Sequence, residues 1–372
     1  MKGAEWDHRQ RTFRLEPVPA RSEETSPEIN CLARAPLHLD VNPAPRILEP
    51  NALARKIVFG MRPEEAIAAA FLIPTTWLTA AAHYFAPEAG SIGPRFAGGV
   101  LRIAVAFACG VILFLAARQK PSPGSPLHAL REMLPFFLCI LIYTNLHDTI
   151  GFVNPHDIHE TLLAIDVWMF GVEPVLWAEQ FYTRDRTEIF QLLYMSFALV
   201  APAVPLVLLF QKRFAEFRRA ALSIIVCFYL GYGLYLLLPS APPRIVLVSE
   251  FKKNLGGDPL FATVAAEKAF SLLPTDSRAA FPSLHAAVSL LALILAWKYT
   301  RRLFVGLIPL VLGLWASTVY LRHHFVVDLI AGFMLAPVAY VLAPRLDARW
   351  SERRRLVFTP AENKKASPEG LA

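Results

Sequence analysis

Residues 281–343 read FPSLHAAVSLLALILAWKYTRRLFVGLIPLVLGLWASTVYLRHHFVVDLIAGFMLAPVAYVLA and contain three apolar runs separated by short polar turns. Each run is close to the ~20 residues that a helix needs to cross a bilayer. Histidines stand at the start of the first run, within 281–285, and at the start of the third, within 320–328. This stretch therefore predicts membrane helices with histidines close to one membrane surface.

The composition of the whole chain agrees with this prediction. Apolar residues make up 55% of the 372 residues, charged residues make up 18%, and the mean hydropathy is +0.41. Such values are typical of a polytopic membrane protein, and the expected fold class is an all-α transmembrane helix bundle. The net charge of +7 is not accompanied by a basic stripe with interleaved aromatic residues, so no nucleic-acid partner is predicted.

The hydropathy pattern divides the chain into four regions. These are a largely disordered cytoplasmic tail at 1–62, two extra N-terminal spans within 63–129, a six-helix core at 130–344 and a basic cytoplasmic tail at 345–372. A short interfacial helix is expected near 51–59. Eight spans are predicted, with six or seven as alternative counts: 64–86, 97–117, 132–152, 188–210, 218–238, 283–299, 302–321 and 324–343.

The charges of the loops predict the orientation of the bundle. Loops 118–131 and 211–219 are rich in arginine and lysine, whereas the alternate loop 87–96 has a single arginine. Because basic loops remain in the cytoplasm, both termini are predicted to be cytoplasmic. His285 and His324 then begin the sixth and eighth spans on the same, exoplasmic side, where they can meet in one site.

The spacing of His324 and Asp328 suits nucleophilic chemistry. Residues four apart share one face of a helix, so the carboxylate can accept the proton of one ring nitrogen and leave the other free. We expect His324 to attack phosphorus and form a phosphohistidine, with Asp328 orienting the ring. His285 would act as general acid toward the leaving group and as general base toward the acceptor.

A phosphate group also needs donors and positive charge. Ser283 stands at the start of a predicted helix, where free backbone N–H groups and the helix dipole favour an anion. Three arginines lie near the same predicted membrane face and are candidate phosphate ligands, namely Arg244, Arg278 and Arg322. No metal ligand set and no cofactor are predicted.

The two histidine motifs resemble those of the type 2 phosphatidic acid phosphatase superfamily. Within it, residues 130–343 resemble the inositol phosphorylceramide synthase-like, or inositolphosphotransferase, branch. That branch has leucine or a similar residue where lipid phosphatases usually have glycine, and this chain has Leu284 at that position. Residues 239–244 also resemble a proline-rich element of the branch. The segment 166–177 resembles the amphipathic loop that precedes a membrane span in bacterial members. The resemblance implies a metal-independent enzyme in which His324 is the nucleophile, Asp328 its partner and His285 the acid and base. It also implies that Ser283 and Arg244 bind phosphate.

The sequence departs from the lipid-phosphatase pattern at Thr318, which follows Ser317 where those enzymes have arginine. We therefore expect a sphingolipid-type phosphotransferase that moves a phosphoryl or phospho-headgroup unit from a membrane lipid phosphate or phospholipid to a hydroxyl acceptor. One alternative is a lipid phosphate phosphatase with water as acceptor. Another, of a different class, is a transporter with a histidine proton relay.

Overall fold

The secondary structure is helical throughout the part of the chain that the computed structural model describes, apart from an isolated parallel bridge between Ser240 and Ala279. The structure describes residues 52–84, 99–118, 125–253, 255 and 278–358. The all-α prediction is confirmed for these residues. Residues 1–51 of the tail predicted at 1–62 lie outside the described residues. Residues 359–372 of the predicted basic tail also lie outside the described residues.

Thirteen helices are assigned within these ranges, and a short 3-10 turn at Glu179–Phe181 follows the sixth. In chain order they are α1 Ala52–Gly60, α2 Pro63–Tyr84, α3 Gly99–Arg118, α4 Pro126–Val153, α5 His159–Phe170, α6 Pro174–Ala178, α7 Arg184–Met195, α8 Phe197–Phe210, α9 Phe214–Leu237, α10 Pro243–Val246, α11 Leu284–Tyr299, α12 Arg301–Tyr320 and α13 Val326–Phe358.

Each predicted span coincides with a helix, and the span at 188–210 is divided between α7 and α8 at Ser196. Among the described residues, four helical segments are long and apolar enough to cross a membrane, namely α7 with α8, α9, α12 and α13. The pair α5 and α6, bent by 66°, makes a fifth if it is one broken span, and α11 is a shorter apolar helix. The protein is an integral membrane helix bundle, and the count of eight spans stays a prediction.

Helix α11 lies at the centre of the bundle and packs against α8, α9, α12 and α13. It is buried on most of its surface, which explains why its sequence is apolar all round. Small residues let the neighbouring helices approach closely. At Gly332 of α13, an added Cβ would lie only 2.4 Å from the backbone oxygen of Ser283, so α13 and the start of α11 touch at the level of the backbone.

The N-terminal helices α1 and α2 are attached to the core by a buried ion-pair cluster. Arg131 of α4 pairs with the fully buried Glu65 of α2 at 3.0 Å, and Arg62 pairs with Glu132 at 2.5 Å. The ring of Trp350 in α13 packs on Phe59 of α1. Because α13 continues without a break to Phe358, the predicted core boundary at residue 344 falls inside a helix.

Backbone hydrogen bonds join the three loops that surround the start of α11. The N–H of Ser240 donates to Arg278 and the N–H of Ala280 donates to Ser240, both at 3.0 Å. The N–H of Arg244 donates to the carbonyl of Arg322 at 3.0 Å. These bonds bring the connection after α9, the residues before α11 and the turn before α13 into one layer, and all predicted site residues lie on or beside it.

Candidate active site

His324 and Asp328 form the first contact of the site. His324 Nδ1 lies 3.3 Å from Asp328 Oδ2, and the same oxygen accepts a hydrogen bond from the N–H of Phe325 at 2.9 Å. The prediction that both residues share a helical face is wrong in one respect, since His324 lies in the turn before α13. The pair forms because Asp328, the third residue of the helix, reaches back over the helix start in the manner of a capping box.

His285 completes a chain of three side chains. Its Nδ1 lies 3.2 Å from His324 Nε2, so the structure brings together the two motifs that the predicted topology placed on one side. A carboxylate can only accept, so Asp328 fixes the proton on His324 Nδ1 and leaves a lone pair on Nε2. His285 Nδ1 is then the donor in the contact between the two rings, which places the reactive nitrogen of His324 beside a proton donor.

The environment keeps the imidazole of His324 neutral. Burial lowers the pKa of His324 to about 3, an effect that a hydrogen bond to the backbone of Ala280 opposes and the positive charge of Arg244 reinforces. Burial, together with the charge of Arg244, also lowers the pKa of His323 well below its ordinary value. Desolvation disfavours the charged form of a base. A neutral ring with an unprotonated nitrogen is the form that can act as a nucleophile.

Ser283 caps the helix that carries His285. Its hydroxyl accepts the N–H of Ala286 at 3.3 Å, and its own N–H donates to the carbonyl of Asp328 at 2.9 Å. The side chain is fully buried, and its hydroxyl proton is still available to an acceptor. Ser283 therefore ties the start of α11, which carries His285, to the start of α13, which carries Asp328.

The three predicted phosphate-binding arginines differ in their surroundings. Arg244 lines a cavity together with His285, His323 and His324, and its buried Nε has no hydrogen-bond partner in the described structure. A guanidinium with an unsatisfied donor beside the histidines fits an anionic ligand.

Arg278 and Arg322 bind other parts of the chain. Arg278 Nε lies 2.7 Å from Asp157 Oδ1, and its Nη1 donates to the carbonyl of Asn154. Arg322 Nη2 donates to the carbonyl of Lys253 at 2.7 Å and pairs with Glu179 at 3.3 Å. Neither arginine lines the cavity, and their phosphate-binding roles stay predictions.

The cavity has a volume of about 560 Å³ and a strongly unequal lining. The three histidines and Arg244 lie at one end. Most of the remaining lining consists of aromatic and aliphatic side chains from α4, α8 and α9, among them Phe136, Phe137, Phe197, Pro202, Phe228 and Tyr232. A cavity with a charged end and an apolar body fits an amphiphilic ligand.

Two site residues were not singled out as candidates by the sequence. The ring of Tyr194 stacks on His323, with centroids 4.2 Å apart, and lies 4.8 Å from the ring of His285. Asp166 accepts hydrogen bonds from the backbone of Val326 and Val327. The sequence around Tyr194 gives no indication of a functional role. Asp166 could have been identified, because an acidic residue within an apolar helix is a candidate functional residue.

Comparison with known proteins shows what the region around the site is similar to. The model of the PAP2 superfamily matches residues 160–342, which begin at α5 and include both histidine motifs. The chain is 28% identical over 165 residues, 40% of its length, to the phosphoinositol dihydroceramide synthase of Bacteroides thetaiotaomicron, and the match spans about half (52%) of that relative.

Two fungal proteins match shorter segments. The inositol phosphorylceramide synthase catalytic subunit of Schizosaccharomyces pombe is 41% identical over 90 residues, which are 24% of this chain and 21% of that protein. The inositol phosphorylceramide synthase of Candida albicans is 47% identical over 58 residues, 15% of this chain and 12% of that protein. No solved structure matches the chain significantly.

Proposed function

We propose that the protein is a membrane phosphotransferase of the PAP2 superfamily, on the basis of the family match at residues 160–342 and the geometry of the site. It moves a phosphoryl or phospho-headgroup unit from a lipid to a hydroxyl acceptor. The observation that carries the proposal is the hydrogen-bonded chain of Asp328, His324 and His285, which opens into an apolar cavity beside Arg244.

In the first half-reaction, His324 Nε2 attacks the phosphorus atom of the donor lipid. A phosphorus–nitrogen bond forms, and the bond between phosphorus and the lipid oxygen breaks. His285, as an imidazolium, gives a proton to the departing oxygen and becomes neutral, and Asp328 stabilises the positive charge that develops on the ring of His324. Arg244 holds the nonbridging oxygens of the phosphate.

In the second half-reaction, the acceptor hydroxyl passes its proton to His285 and attacks phosphorus. The phosphorus–nitrogen bond breaks, and His324 returns to its neutral form. The same groups serve a lipid hydroxyl or water as acceptor, so the choice depends on which of them the cavity admits.

The printed names of the relatives guide the choice of substrates. They name phosphoinositol, ceramide and dihydroceramide, and we propose that this protein transfers a phosphoinositol unit to a ceramide-type lipid. The largely apolar lining of the cavity supports a lipid acceptor, since such a surface favours acyl chains over water.

We also propose that the site opens on the exoplasmic face, with both termini in the cytoplasm. Arg218 lies near the start of α9 and pairs with Glu64 of α2, which also lies 3.9 Å from Arg62 of the buried ion-pair cluster, whereas Arg244 follows the end of α9. A helix of 24 residues is about 36 Å long, enough to separate these residues by the thickness of a bilayer. The basic end of the bundle and the histidine end thus belong to opposite membrane faces.

The test uses purified protein in lipid nanodiscs, with phosphatidylinositol or phosphatidate as donor and a fluorescent ceramide as acceptor. The proposal predicts a fluorescent phosphorylated product from phosphatidylinositol, and its absence in His324→Ala. Release of water-soluble phosphate without ceramide product would instead identify a phosphatase. Failure of the wild-type protein to turn over either donor would overturn the proposal and favour a transporter.

A further inference from the structure

We propose that Asp166 is a positioning residue for the transfer reaction, because its carboxylate accepts the backbone N–H groups that begin the helix carrying Asp328. The inference rests on the proposed function and assigns a role to a helix outside the two histidine motifs. Asp166 lies on α5 and is fully buried. Its Oδ2 accepts the N–H of Val326 at 2.7 Å, and its Oδ1 accepts the N–H of Val327 at 2.8 Å.

Two carboxylates share the start of α13. Asp328 Oδ2 accepts the N–H of Phe325, so three successive backbone donors, at residues 325, 326 and 327, are bound by Asp328 and Asp166. The first N–H groups of a helix have no partner within the helix. Since Asp166 satisfies two of them, the second role of Asp328, its contact with His324 Nδ1, is left undisturbed.

The removal of Asp166 changes this balance. Two backbone donors beside Asp328 would lose their acceptor, and Asp328 has a buried oxygen, Oδ1, with no hydrogen-bond partner in the described structure that can take them up. It would turn toward the helix start and away from His324. Burial of unpaired donors is costly, which makes the competition strong. No arginine or lysine of the described residues forms an ion pair with Asp166, so the contact with α13 is its main polar interaction.

The position of α5 is itself fixed. The N–H of Ile158, just before α5, donates to the carbonyl of Pro239 at 2.9 Å. Leu162 of α5 is buried in one small cluster with Leu247 and Phe325, and Phe281 packs against this cluster. Helix α5 therefore connects the loop that leads to Arg244 with the turn that carries His324.

The experiment compares steady-state kinetics of the full-length protein and its variants with phosphatidylinositol and ceramide. Asp166→Asn keeps the size of the side chain but replaces one acceptor oxygen with a donor. The proposal predicts a kcat about 100-fold lower with an unchanged KM, because a catalytic group displaced by about 1 Å costs roughly that factor. Glu160→Gln, an exposed change on the same helix, is the matched control and should retain wild-type kinetics.

A double variant separates positioning from a general structural role. If Asp166 acts through Asp328, then Asp166→Asn should cost little in a protein that already carries Asp328→Asn. Two losses that multiply would overturn the proposal, as would a wild-type kcat in Asp166→Asn. If Asp166→Asn lacks a cooperative melting transition, Asp166→Glu decides. It keeps both acceptors one methylene out of place, so a reduced kcat with normal melting supports the proposal and a wild-type kcat refutes it.

The kinetic results distinguish an error in the proposed function from an error in the role of Asp166. If the wild-type protein shows no transfer or hydrolysis, the proposed function is wrong. If the wild-type protein is active and the Asp166 variants behave like Glu160→Gln, only the role of Asp166 is wrong.

Discussion

Replacement of Gly332 by alanine tests whether the docking of α13 against α11 sets the geometry of the site. The new Cβ would lie 2.4 Å from the backbone oxygen of Ser283, 3.0 Å from the Cβ of Ala286 and 3.1 Å from the nitrogen of Ala287. Two of these three atoms belong to the backbone, which cannot rotate away as a side chain can. The start of α11 must therefore move as a unit, and it carries His285.

The size of the movement follows from the contact. A carbon–oxygen contact is relaxed at about 3.3 Å, so the two helices must separate by about 0.9 Å. The same displacement would lengthen the 3.2 Å contact between His285 and His324 beyond hydrogen-bonding range. A misplacement of about 1 Å costs roughly 100-fold in rate. Overpacking lowers the free energy of unfolding by about 1–3 kcal/mol. The higher helix propensity of alanine relative to glycine offsets about 1 kcal/mol of this loss.

Gly332→Ala should therefore lose far more activity than stability. The assay is the kcat for phosphatidylinositol and ceramide in nanodiscs, with thermal unfolding measured on the same samples. Gly306→Ala in α12 is the control, because a Cβ there meets nothing within 4 Å and should leave the kcat unchanged. A Gly332→Ala protein with wild-type turnover would show that the close approach of the helices does not hold the histidines in place.

Four further predictions concern single residues in and around the site. Arg244→Gln should raise the KM for the donor lipid about 10- to 100-fold through loss of a charge-assisted hydrogen bond. Arg278→Gln should instead lower the melting temperature, and its effect should not add to that of Asp157→Asn, because the two side chains form one ion pair. With a phosphodiester donor, labelling of His324 should persist from pH 7 to pH 5, because burial lowers its pKa to about 3 and the ring stays neutral; a loss centred near the ordinary value of 6.5 would contradict this. Leu284→Gly should raise the ratio of hydrolysis to transfer several-fold, since this buried side chain lines the cavity beside the catalytic groups and its removal admits water. Product analysis that finds an unchanged ratio would refute the last prediction.

The helices of the bundle could be predicted from the sequence because apolar runs of membrane length carry a strong local signal. The motif spacing likewise predicted the pairing of His324 with Asp328, and the loop charges predicted that His285 would join them. The extension of α13 to Phe358 was missed, because its last turns are polar and hydropathy marks the end of an apolar run rather than the end of a helix. Helices α5 and α6 were missed as helices for the related reason that 12 and 5 residues are too few for a simple span.

The partners of the arginines could not be predicted. Arg278 meets Asp157 across 121 residues of sequence, and Arg322 meets Glu179 across 143. Local patterns carry no information about such contacts, so only the family resemblance favoured Arg244 over Arg278 and Arg322 before the fold showed their partners. The hydrogen-bond partners of Asp166 could not be predicted for the same reason, since they lie at a helix start 160 residues away in the sequence.

The proposed mechanism requires a covalent bond between phosphorus and His324. The most direct measurement is mass spectrometry of peptides from protein that is mixed with phosphatidylinositol without acceptor and quenched at alkaline pH, where phosphohistidine survives. We expect a phosphoinositol adduct on His324, absent in His324→Ala and strongly reduced in Asp328→Asn. Wild-type transfer to ceramide with no adduct on His324, or undiminished turnover in His324→Ala, would contradict it.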